Sequence, residues 1–404
     1  MSRTVKILQV NNVYGEKSTG KLTMELHHGL LRAGHESLVV FGRGSGKEEP
    51  GVIRLCPEWY GKANGALARL TGLSYGGCLL STQRLMGIIR REKPDVVHLQ
   101  CINGSFVNIY RLIRWLKRKR VKTLVSLHAE FMYTGNCGHA FDCDQWKTGC
   151  RKCPDKKKAT KSWFFDRTGT SWKRMRDAFS GFEEDCIIAP VSGWTESRAK
   201  ESDILKNFTF TTVFNGVNTD VFRPAVENGK KDKPAVLNVT ARFSPDPNHP
   251  KGGWYLVELA KRMPDVAFFV AGPGTAPENC PENLHLLGVI GDQRELAAWY
   301  SQADLSVVVS RRETFSMPCA ESLCCGTPVV GFEAGAPEQI SLPQYSEFVP
   351  FGDLDALENM IRKWLTHGED RDAIAAAGAE TYSSETMIRN FTDVYRRLLW
   401  KLKN

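Results

Sequence analysis

The 404-residue sequence lacks several features that mark particular classes of protein. Nowhere do eighteen apolar residues run together, and the opening MSRTVKILQV holds no apolar signal segment, so we expect a cytoplasmic chain that does not span a membrane. The absence of internal repeats and low-complexity tracts disfavours solenoid and disordered proteins. No nucleic-acid recognition motif is present, so nucleic acid is not an expected partner.

Disulfides are also not expected, although the sequence contains twelve cysteines. Several of them fall inside apolar runs, where free cysteine behaves as a small buried hydrophobe. These are Cys186, Cys319, Cys324 and Cys325. This pattern favours a reducing compartment.

Four other cysteines lie within seventeen residues, at Cys137, Cys143, Cys150 and Cys153. Four thiolates are the usual complement of a closed structural zinc site, and His139 could replace one of them. Zinc is the leading interpretation, while reduced thiols and disulfides remain open.

The net charge of +9 is concentrated in basic segments that also contain aromatic residues. Residues 111–122 have a basic amphipathic helix pattern, residues 156–165 join lysines to Trp163, Phe164 and Phe165, and a third segment spans 172–176. Such segments suit an anionic membrane surface. A solvated helix face is the alternative.

Short apolar runs alternate with helical patterns twice along the chain. Six runs lie between Val5 and Val191, with helical patterns such as Lys21–Ala33 between them, and six more lie between Ala235 and Pro350. This β-α-β order predicts two doubly wound parallel sheets of the α/β class. A polar stretch at 192–207 separates the two series, an exposed loop is expected at 227–233, and the domain boundary is expected within 192–225. We expect a first domain at 1–205 with a Cys-rich insertion at 131–160, a second domain at 206–385, and a C-terminal helix at 386–404 that packs back on the first domain.

Two carboxylates, Glu313 and Glu321, flank a predicted strand-to-helix turn in the second half. Pro318 suits the first turn of the following helix. Ligands of open α/β sheets bind beyond the carboxyl ends of the strands, where a helix N-terminus attracts anions. The pair therefore suggests a sugar beside a phosphate, although each Glu could instead only favour a helix start.

Two cations follow an earlier strand of the same predicted sheet. Arg242 ends the run that begins at Ala235, and Lys251 comes nine positions later, before Gly252 and Gly253. Together they could neutralise a diphosphate without a metal, Arg as a bidentate donor and Lys as a point charge.

Over nearly its whole length, the chain resembles a family 4 glycosyltransferase with the GT-B fold. The resemblance depends on an ordered set of segments: "NNVYGEKSTGKLTMELHHGLLRAGHE", "NGVNTDVFRP", "ARF…KGG", "FVAGPG", "ADLSVVVSRRETFSMPCAESLCCGTPVV" and "GAPEQI". It implies two Rossmann-like domains facing across a cleft, the first binding the acceptor and the second binding the nucleotide sugar. It also implies a nucleotide-diphosphate sugar donor, retention at the anomeric carbon, and no divalent metal or catalytic cofactor.

The resemblance implies that the Cys-rich insertion folds a loop and takes no part in catalysis, because similar family members carry a comparable insertion. It also implies residue roles. Arg242 and Lys251 would bind the diphosphate, Glu321 the ribose and Glu313 the donor sugar. Backbone amides at Phe315, Ser316 and Met317 would assist. The donor would also meet Gly20 of the first glycine-containing loop and Val289 near the base.

His128, which follows a predicted strand, matches a histidine that the family often places beside the donor sugar. The sequence departs from the family pattern at two places. Thr314 stands where a glycine often follows the first glutamate, and Ala129-Glu130 stands where many members have an acid directly after the histidine.

The leading hypothesis is therefore a metal-independent retaining enzyme that transfers a hexose to a hydroxyl of a lipid-linked glycan in surface polysaccharide biosynthesis, as for exopolysaccharide or capsule. A UDP-sugar is favoured over a GDP-sugar, and the expected location is the inner face of the membrane. Two alternatives remain: a GT-B relative with other chemistry, such as an epimerase or a phosphorylase, and a non-catalytic module that binds sugar or metal.

Overall fold

The computed structural model describes residues 4–46, 49–225, 232–366, 368 and 370–400. The chain divides into two compact units, Met1–Phe214 with Met387–Asn404, and Asn215–Thr386. The second unit thus begins at 215, where the sequence suggested 206. Of the loop expected at 227–233, residues 227–231 lie outside the described part of the chain.

The first unit is built on a seven-stranded sheet in the order β3-β2-β1-β4-β5-β6-β7, with every neighbouring pair parallel. The strands are β1 Lys6–Asn11, β2 Glu36–Phe41, β3 Val52–Arg54, β4 Val96–Leu99, β5 Thr123–Leu127, β6 Cys186–Pro190 and β7 Thr209–Phe210. The helices are α1 Lys17–Arg32, α2 Glu58–Thr71, α3 Leu79–Glu92, α4 Ile109–Arg118, α5 Lys156–Ala159, α6 Thr168–Phe179 and α7 Gly193–Glu201.

Two local predictions for this unit were wrong. Helix α1 begins at Lys17, four residues before the expected start at 21. The polar stretch 192–207, expected to lie between the two domains, contains α7, because the Ser192 hydroxyl accepts a hydrogen bond from the amide of Thr195 at 3.1 Å and caps the helix. Polar composition did not reveal this helix because its cap, and not an apolar stripe, marks its start.

Helix α4 resolves the interpretation of the first basic segment. All of its apolar side chains between Ile109 and Leu116 are buried, and they join the main core of the unit. The arginines and lysines of α4 therefore form the solvated face of a core helix, and its apolar face is not available to a membrane.

The second unit is built on a six-stranded parallel sheet in the order β10-β9-β8-β11-β12-β13. The strands are β8 Ala235–Val239, β9 Ala267–Ala271, β10 Leu284–Gly288, β11 Leu305–Val308, β12 Val329–Phe332 and β13 Ser346–Val349. The helices are α8 Gly253–Arg262, α9 Gln293–Gln302, α10 Met317–Cys324, α11 Pro337–Ile340, α12 Leu354–Leu365 and α13 Arg371–Tyr382. The two predicted doubly wound parallel sheets are confirmed.

The last helix, α14 Ser384–Trp400, belongs mainly to the first unit. Its apolar side chains from Met387 to Leu398 complete a core cluster with α1 and the sheet. Contact is close at Gly29, where an added Cβ would lie 2.1 Å from Ile388 Cδ1. Side chains distant in sequence therefore share one core.

Both sheets reverse their strand order at one position. In each, the chain winds outward in one direction from its first strand and then crosses to the other side, so the reversal falls between β1 and β4 and between β8 and β11. The crevice outside the carboxyl ends of such strands is where open α/β sheets bind ligands. In the second unit, the segments that follow β8 and β11 lie at this crevice.

Candidate active site

The side chains of Lys251 and Glu313 meet at the switch point of the second sheet. Lys251 Nζ donates to Glu313 Oε1 at 2.6 Å, although the two residues are 62 positions apart in the sequence. The side chains keep 27% and 21% of their accessible surface, so solvent and small ligands can reach them. The segments after β8 and β11 therefore bring together two of the predicted donor-binding residues.

Two glycines make this approach possible. Gly252 has a φ of 68°, and an added Cβ would lie 2.0 Å from the carbonyl oxygen of Val309, just beyond β11. At Gly253 an added Cβ would lie 2.5 Å from the carbonyl oxygen of Ser244. Only glycine tolerates both the left-handed backbone and the contact. The Lys-Gly-Gly sequence thus places Lys251 at the N-terminus of α8.

Glu313 is held by the segment after β12. Its amide donates to Ala334 O at 2.9 Å, and the Glu338 carboxylate accepts from the amides of Ala334 and Gly335 at 2.8 to 3.1 Å. Glu338 was not predicted as a positioning residue. The signal was present, since a Glu directly after Pro337 commonly binds free amides at a helix start.

The turn between Glu313 and α10 carries backbone strain. Ser316, which is buried, has a φ of 84° and a ψ of 83°, a conformation that non-glycine residues rarely adopt. Its hydroxyl accepts from Cys319 Sγ at 3.2 Å. Pro318 lies in the first turn of α10, as predicted. Strain of this kind is concentrated at functional sites, and here it falls at the residue that directly precedes α10.

Glu321 lies in α10 and is oriented by a residue that the sequence did not reveal. The Tyr300 hydroxyl donates to Glu321 Oε2 at 3.2 Å. Burial, followed by the charge of Glu321, raises the pKa of Tyr300 well above its ordinary value. Tyr300 therefore remains a neutral donor, which holds one carboxylate oxygen of Glu321 in a fixed direction.

Arg242 lies three residues beyond the end of β8, and it is exposed. Among the described residues its guanidinium has no ion pair. The neighbouring backbone is fixed by a hydrogen bond from Phe243 N to Pro273 O at 2.8 Å, and an added Cβ at Gly274 would lie 2.6 Å from Phe243 O. Val289 follows β10 at the same edge of the sheet and is 73% exposed.

In the first unit, His128 directly follows β5. Its Nε2 lies 2.8 Å from Gln100 Oε1, and burial lowers its pKa to about 4, so the ring is neutral near pH 7. Gln100 follows β4 at the switch point of this sheet and was not predicted. A further buried histidine, His98, bonds Ser126 Oγ and Tyr395 OH at 2.8 Å each.

Gly20 has a different position from the one expected. It lies within the first turn of α1, where its carbonyl accepts from Gly15 N at 3.0 Å and an added Cβ would lie 3.0 Å from a Val13 methyl. Its visible role is close packing of the loop on the helix. Its predicted contact with the donor stays a prediction.

Glu130 is fully buried and has a structural role. Arg198 Nε donates to its carboxylate at 2.6 Å, and Ala140 N and Tyr133 OH also donate to it. Burial lowers the pKa of Arg198, but the charge and hydrogen bond of Glu130 outweigh it and raise the pKa overall. These contacts attach the start of the Cys-rich insertion to α7.

The four clustered cysteines interact with one another but do not form a compact group of ligands. Burial, and then the neighbouring thiols, raise the pKa of Cys137. Among the described residues, three possible metal-ligand atoms lie within 4.8 Å of one another only at His27, His28 and Glu49, and not at these cysteines. Zn–S bonds of about 2.3 Å would need sulfurs roughly 3.8 Å apart, so this spacing is wider than a closed zinc site requires. Zinc stays a prediction that metal analysis can test.

The compact group of donor atoms is formed by His27, His28 and Glu49. Hydrogen bonds within the protein account for it. His27 Nδ1 lies 2.8 Å from Ser37 Oγ, its ring also bonds a backbone carbonyl, and His28 Nε2 lies 2.9 Å from Glu49 Oε1. Tyr14 donates to the same carboxylate oxygen. We therefore interpret this group as a network that fixes the segment before β3.

Comparisons with known proteins identify the family. The model "Glycosyltransferase Family 4" matches residues 19–221, and "Glycosyl transferases group 1" matches residues 245–367. The chain belongs to glycosyltransferase family 4. The resemblance inferred from sequence is confirmed, and the chain is a glycosyltransferase.

Relatives of this family 4 chain differ in how much of it they match. The putative colanic acid biosynthesis glycosyl transferase WcaC of Escherichia coli K12 is 23% identical over 98% of this chain and all of the relative. D-inositol 3-phosphate glycosyltransferase 1 of Catenulispora acidiphila is 40% identical, over 38% of this chain and 43% of the relative. The latter likeness covers less than half of either protein.

Solved structures establish the fold. Sucrose-phosphate synthase of Thermosynechococcus elongatus aligns with a TM-score of 0.68 at 16% identity, covering 97% of this chain and 99% of that one. Anabaena HepE in complex with UDP aligns with a TM-score of 0.64 at 13% identity, covering 97% and 100%. The fold of this family 4 chain is GT-B, as predicted. No helix in the described residues combines the length and apolarity needed to cross a bilayer.

Proposed function

We propose that this glycosyltransferase transfers a hexose, with retention and without a metal, from a nucleotide-diphosphate sugar to a hydroxyl of a lipid-linked glycan. The pathway class is surface polysaccharide biosynthesis, as for exopolysaccharide or capsule, and the location is the inner face of the membrane. The name of the relative WcaC supports a polysaccharide product. The UDP and UDP-glucose complexes of HepE support UDP over GDP as the nucleotide.

The observation that carries this proposal is the contact between Lys251 and Glu313 at the switch point. A cation paired to a carboxylate there, beside the N-terminus of α10, suits a bound molecule that carries both a diphosphate and a sugar. Arg242, exposed after β8, supplies the second positive charge. Two fixed cations can neutralise a diphosphate in place of a divalent ion.

The same placement of the diphosphate and the sugar gives the remaining residues their proposed roles. Glu321, oriented by Tyr300, accepts from the ribose hydroxyls, and Glu313 accepts from hydroxyls of the sugar. Backbone amides around Phe315 donate hydrogen bonds to the phosphate oxygens, and Val289 lies beside the base. In the first unit, neutral His128 offers a hydrogen bond to the sugar without adding a charge.

The chemistry needs no enzymic nucleophile. The bond from the anomeric carbon to the diphosphate oxygen breaks while the acceptor oxygen bonds the same face of that carbon, and the acceptor proton passes to the leaving phosphate. Arg242 and Lys251 stabilise the charge that develops on the diphosphate. Loss of one preorganised donor of this kind costs about 3 kcal/mol of transition-state stabilisation.

A thermal-shift panel of UDP-, GDP- and ADP-sugars with the free nucleotides tests the proposal. Selective stabilisation by UDP and one UDP-sugar is expected. The glycoside formed from that donor is then examined by NMR, where an anomeric configuration equal to that of the donor is expected. Failure of every nucleotide to stabilise the protein, an inverted product, or epimerised donor without transfer would contradict the proposal.

A further inference from the structure

Helix α2 has its apolar residues on the outside. Trp59, Ala63, Ala66, Leu67 and Leu70 recur at the spacing of one helix face, and all five are exposed. In the whole helix only Gly61 is buried. A surface helix of a globular protein normally turns such a stripe toward the core. The exposed stripe of α2 therefore needs a partner other than the core of its own unit.

A second apolar segment adjoins the end of this helix. Trp163, Phe164 and Phe165 are 50%, 63% and 53% exposed. The amide of Trp163 donates to Arg69 O at 2.9 Å, so this aromatic segment lies directly against the last turn of α2. We call α2 and residues 163–165 together the apolar surface.

The N-terminus of α3 extends the apolar surface. Leu79 and Leu80 are 53% and 76% exposed, and the amide of Cys78 donates to Asn64 Oδ1 of α2 at 2.9 Å. With these two, the region holds eight of the twelve large apolar side chains that are exposed among the described residues. Such a concentration on one region marks an interaction site.

The charge around the apolar surface is strongly positive. Segments 58–71 and 155–174 contain nine Lys or Arg and three Asp or Glu. Two of the three acids are already engaged, Glu58 with Arg43 at 2.7 Å and Asp166 with amides at 2.6 and 3.0 Å. The Arg167 guanidinium lies 5.5 Å from the centre of the Phe165 ring, which places positive charge beside the exposed aromatic groups.

We propose that the apolar surface binds an anionic lipid bilayer, with α2 lying in the plane of the interface and residues 163–165 at the headgroup level. Aromatic rings suit this depth, and the basic residues complement acidic headgroups. The proposal assigns the membrane-binding role to α2 and residues 163–165 and excludes α4, whose apolar face is buried. It rests on the proposed function only in that a lipid-linked acceptor would lie at the same surface.

Vesicle flotation with the full chain tests the proposal, using phosphatidylcholine alone and phosphatidylcholine with 30% phosphatidylglycerol. We expect binding to the anionic vesicles only, weakened by salt. Leu67→Gln and Phe164→Ser should each reduce the partition coefficient roughly tenfold or more, in line with loss of a buried apolar side chain. Lys157→Gln should reduce it about fivefold.

Matched controls keep the test specific. Leu31→Gln alters a leucine of similar exposure on α1, and Arg114→Gln removes an exposed charge from α4, so neither should change vesicle binding. Absence of binding to anionic vesicles, or equal loss in the Leu31 control, would overturn the proposal. So would a concentration-dependent dimer that Leu67→Gln dissociates, in the absence of vesicle binding, because the partner would then be a second copy. Thermal stabilisation by UDP needs no lipid, so its outcome separates this proposal from the proposed function.

Discussion

Replacement of Gly252 by alanine tests the geometry that holds Lys251 in place. The residue has a φ of 68°, which costs a non-glycine residue roughly 1–2 kcal/mol. The added Cβ would also lie 2.0 Å from Val309 O, which requires the end of β11 or the start of α8 to move. Overpacking of this kind costs about 1–3 kcal/mol, so we expect a total loss of about 2–5 kcal/mol in the free energy of unfolding.

Two other glycines of the same unit separate the contributions. Gly288 has a φ of 72° but no atom within 4 Å of an added Cβ, so Gly288→Ala should show the backbone strain alone. Gly291 has neither feature, and Gly291→Ala should change stability by less than about 1 kcal/mol. Urea unfolding followed by tryptophan fluorescence measures all three. If Gly252→Ala is no less stable than Gly288→Ala, the close approach of the Lys251 loop to β11 is refuted.

Three further predictions concern charges in the two units. Glu313→Gln removes the carboxylate that pairs with Lys251, so Lys251 is released for the diphosphate and calorimetry should show tighter binding of free UDP. Sugar transfer should fall roughly 10–100-fold, because a charged hydrogen bond to the donor sugar is lost. Weaker UDP binding would count against this prediction. Glu130→Gln leaves Arg198 buried without its countercharge and should cost about 3–5 kcal/mol in thermal or urea unfolding, and full stability would disprove the role assigned to the pair. His128 has a pKa of about 4 in the folded protein against an ordinary 6.5, so the folded ring resists protonation. The contribution of His128 to the free energy of unfolding is therefore constant above pH 6.5 and is lost as the pH falls toward 4. His128→Gln should therefore flatten the decline of stability between pH 7 and 5, and an unchanged decline would contradict the assignment.

The strand order and the donor-binding motifs could be predicted because each depends on local sequence. Apolar runs gave the sheets, and Lys-Gly-Gly marked the loop that carries Lys251. The partners that orient these groups could not be predicted in the same way. Tyr300 and Gln100 act through contacts that arise only when the sheet brings distant segments together.

Amphipathic helices show a second limit. The basic pattern of α4 suggested a membrane, yet its apolar face lies in the core. No membrane-binding role was predicted for helix α2, yet its apolar stripe is exposed. Periodicity shows that a helix has an apolar face, but whether that face meets a core or a partner depends on the neighbours that the fold supplies.

The affinity of UDP for Arg242→Ala tests the central claim most directly. The Arg242 side chain is exposed and has no ion pair among the described residues, so its removal leaves no buried charge behind. Loss of a charged hydrogen bond to the diphosphate should weaken UDP binding roughly 10–100-fold by titration calorimetry. Lys261→Ala, which removes an exposed cation paired with Glu258 on α8, is the matched control and should bind as the wild type does. Wild-type affinity in Arg242→Ala would contradict the account of the donor site.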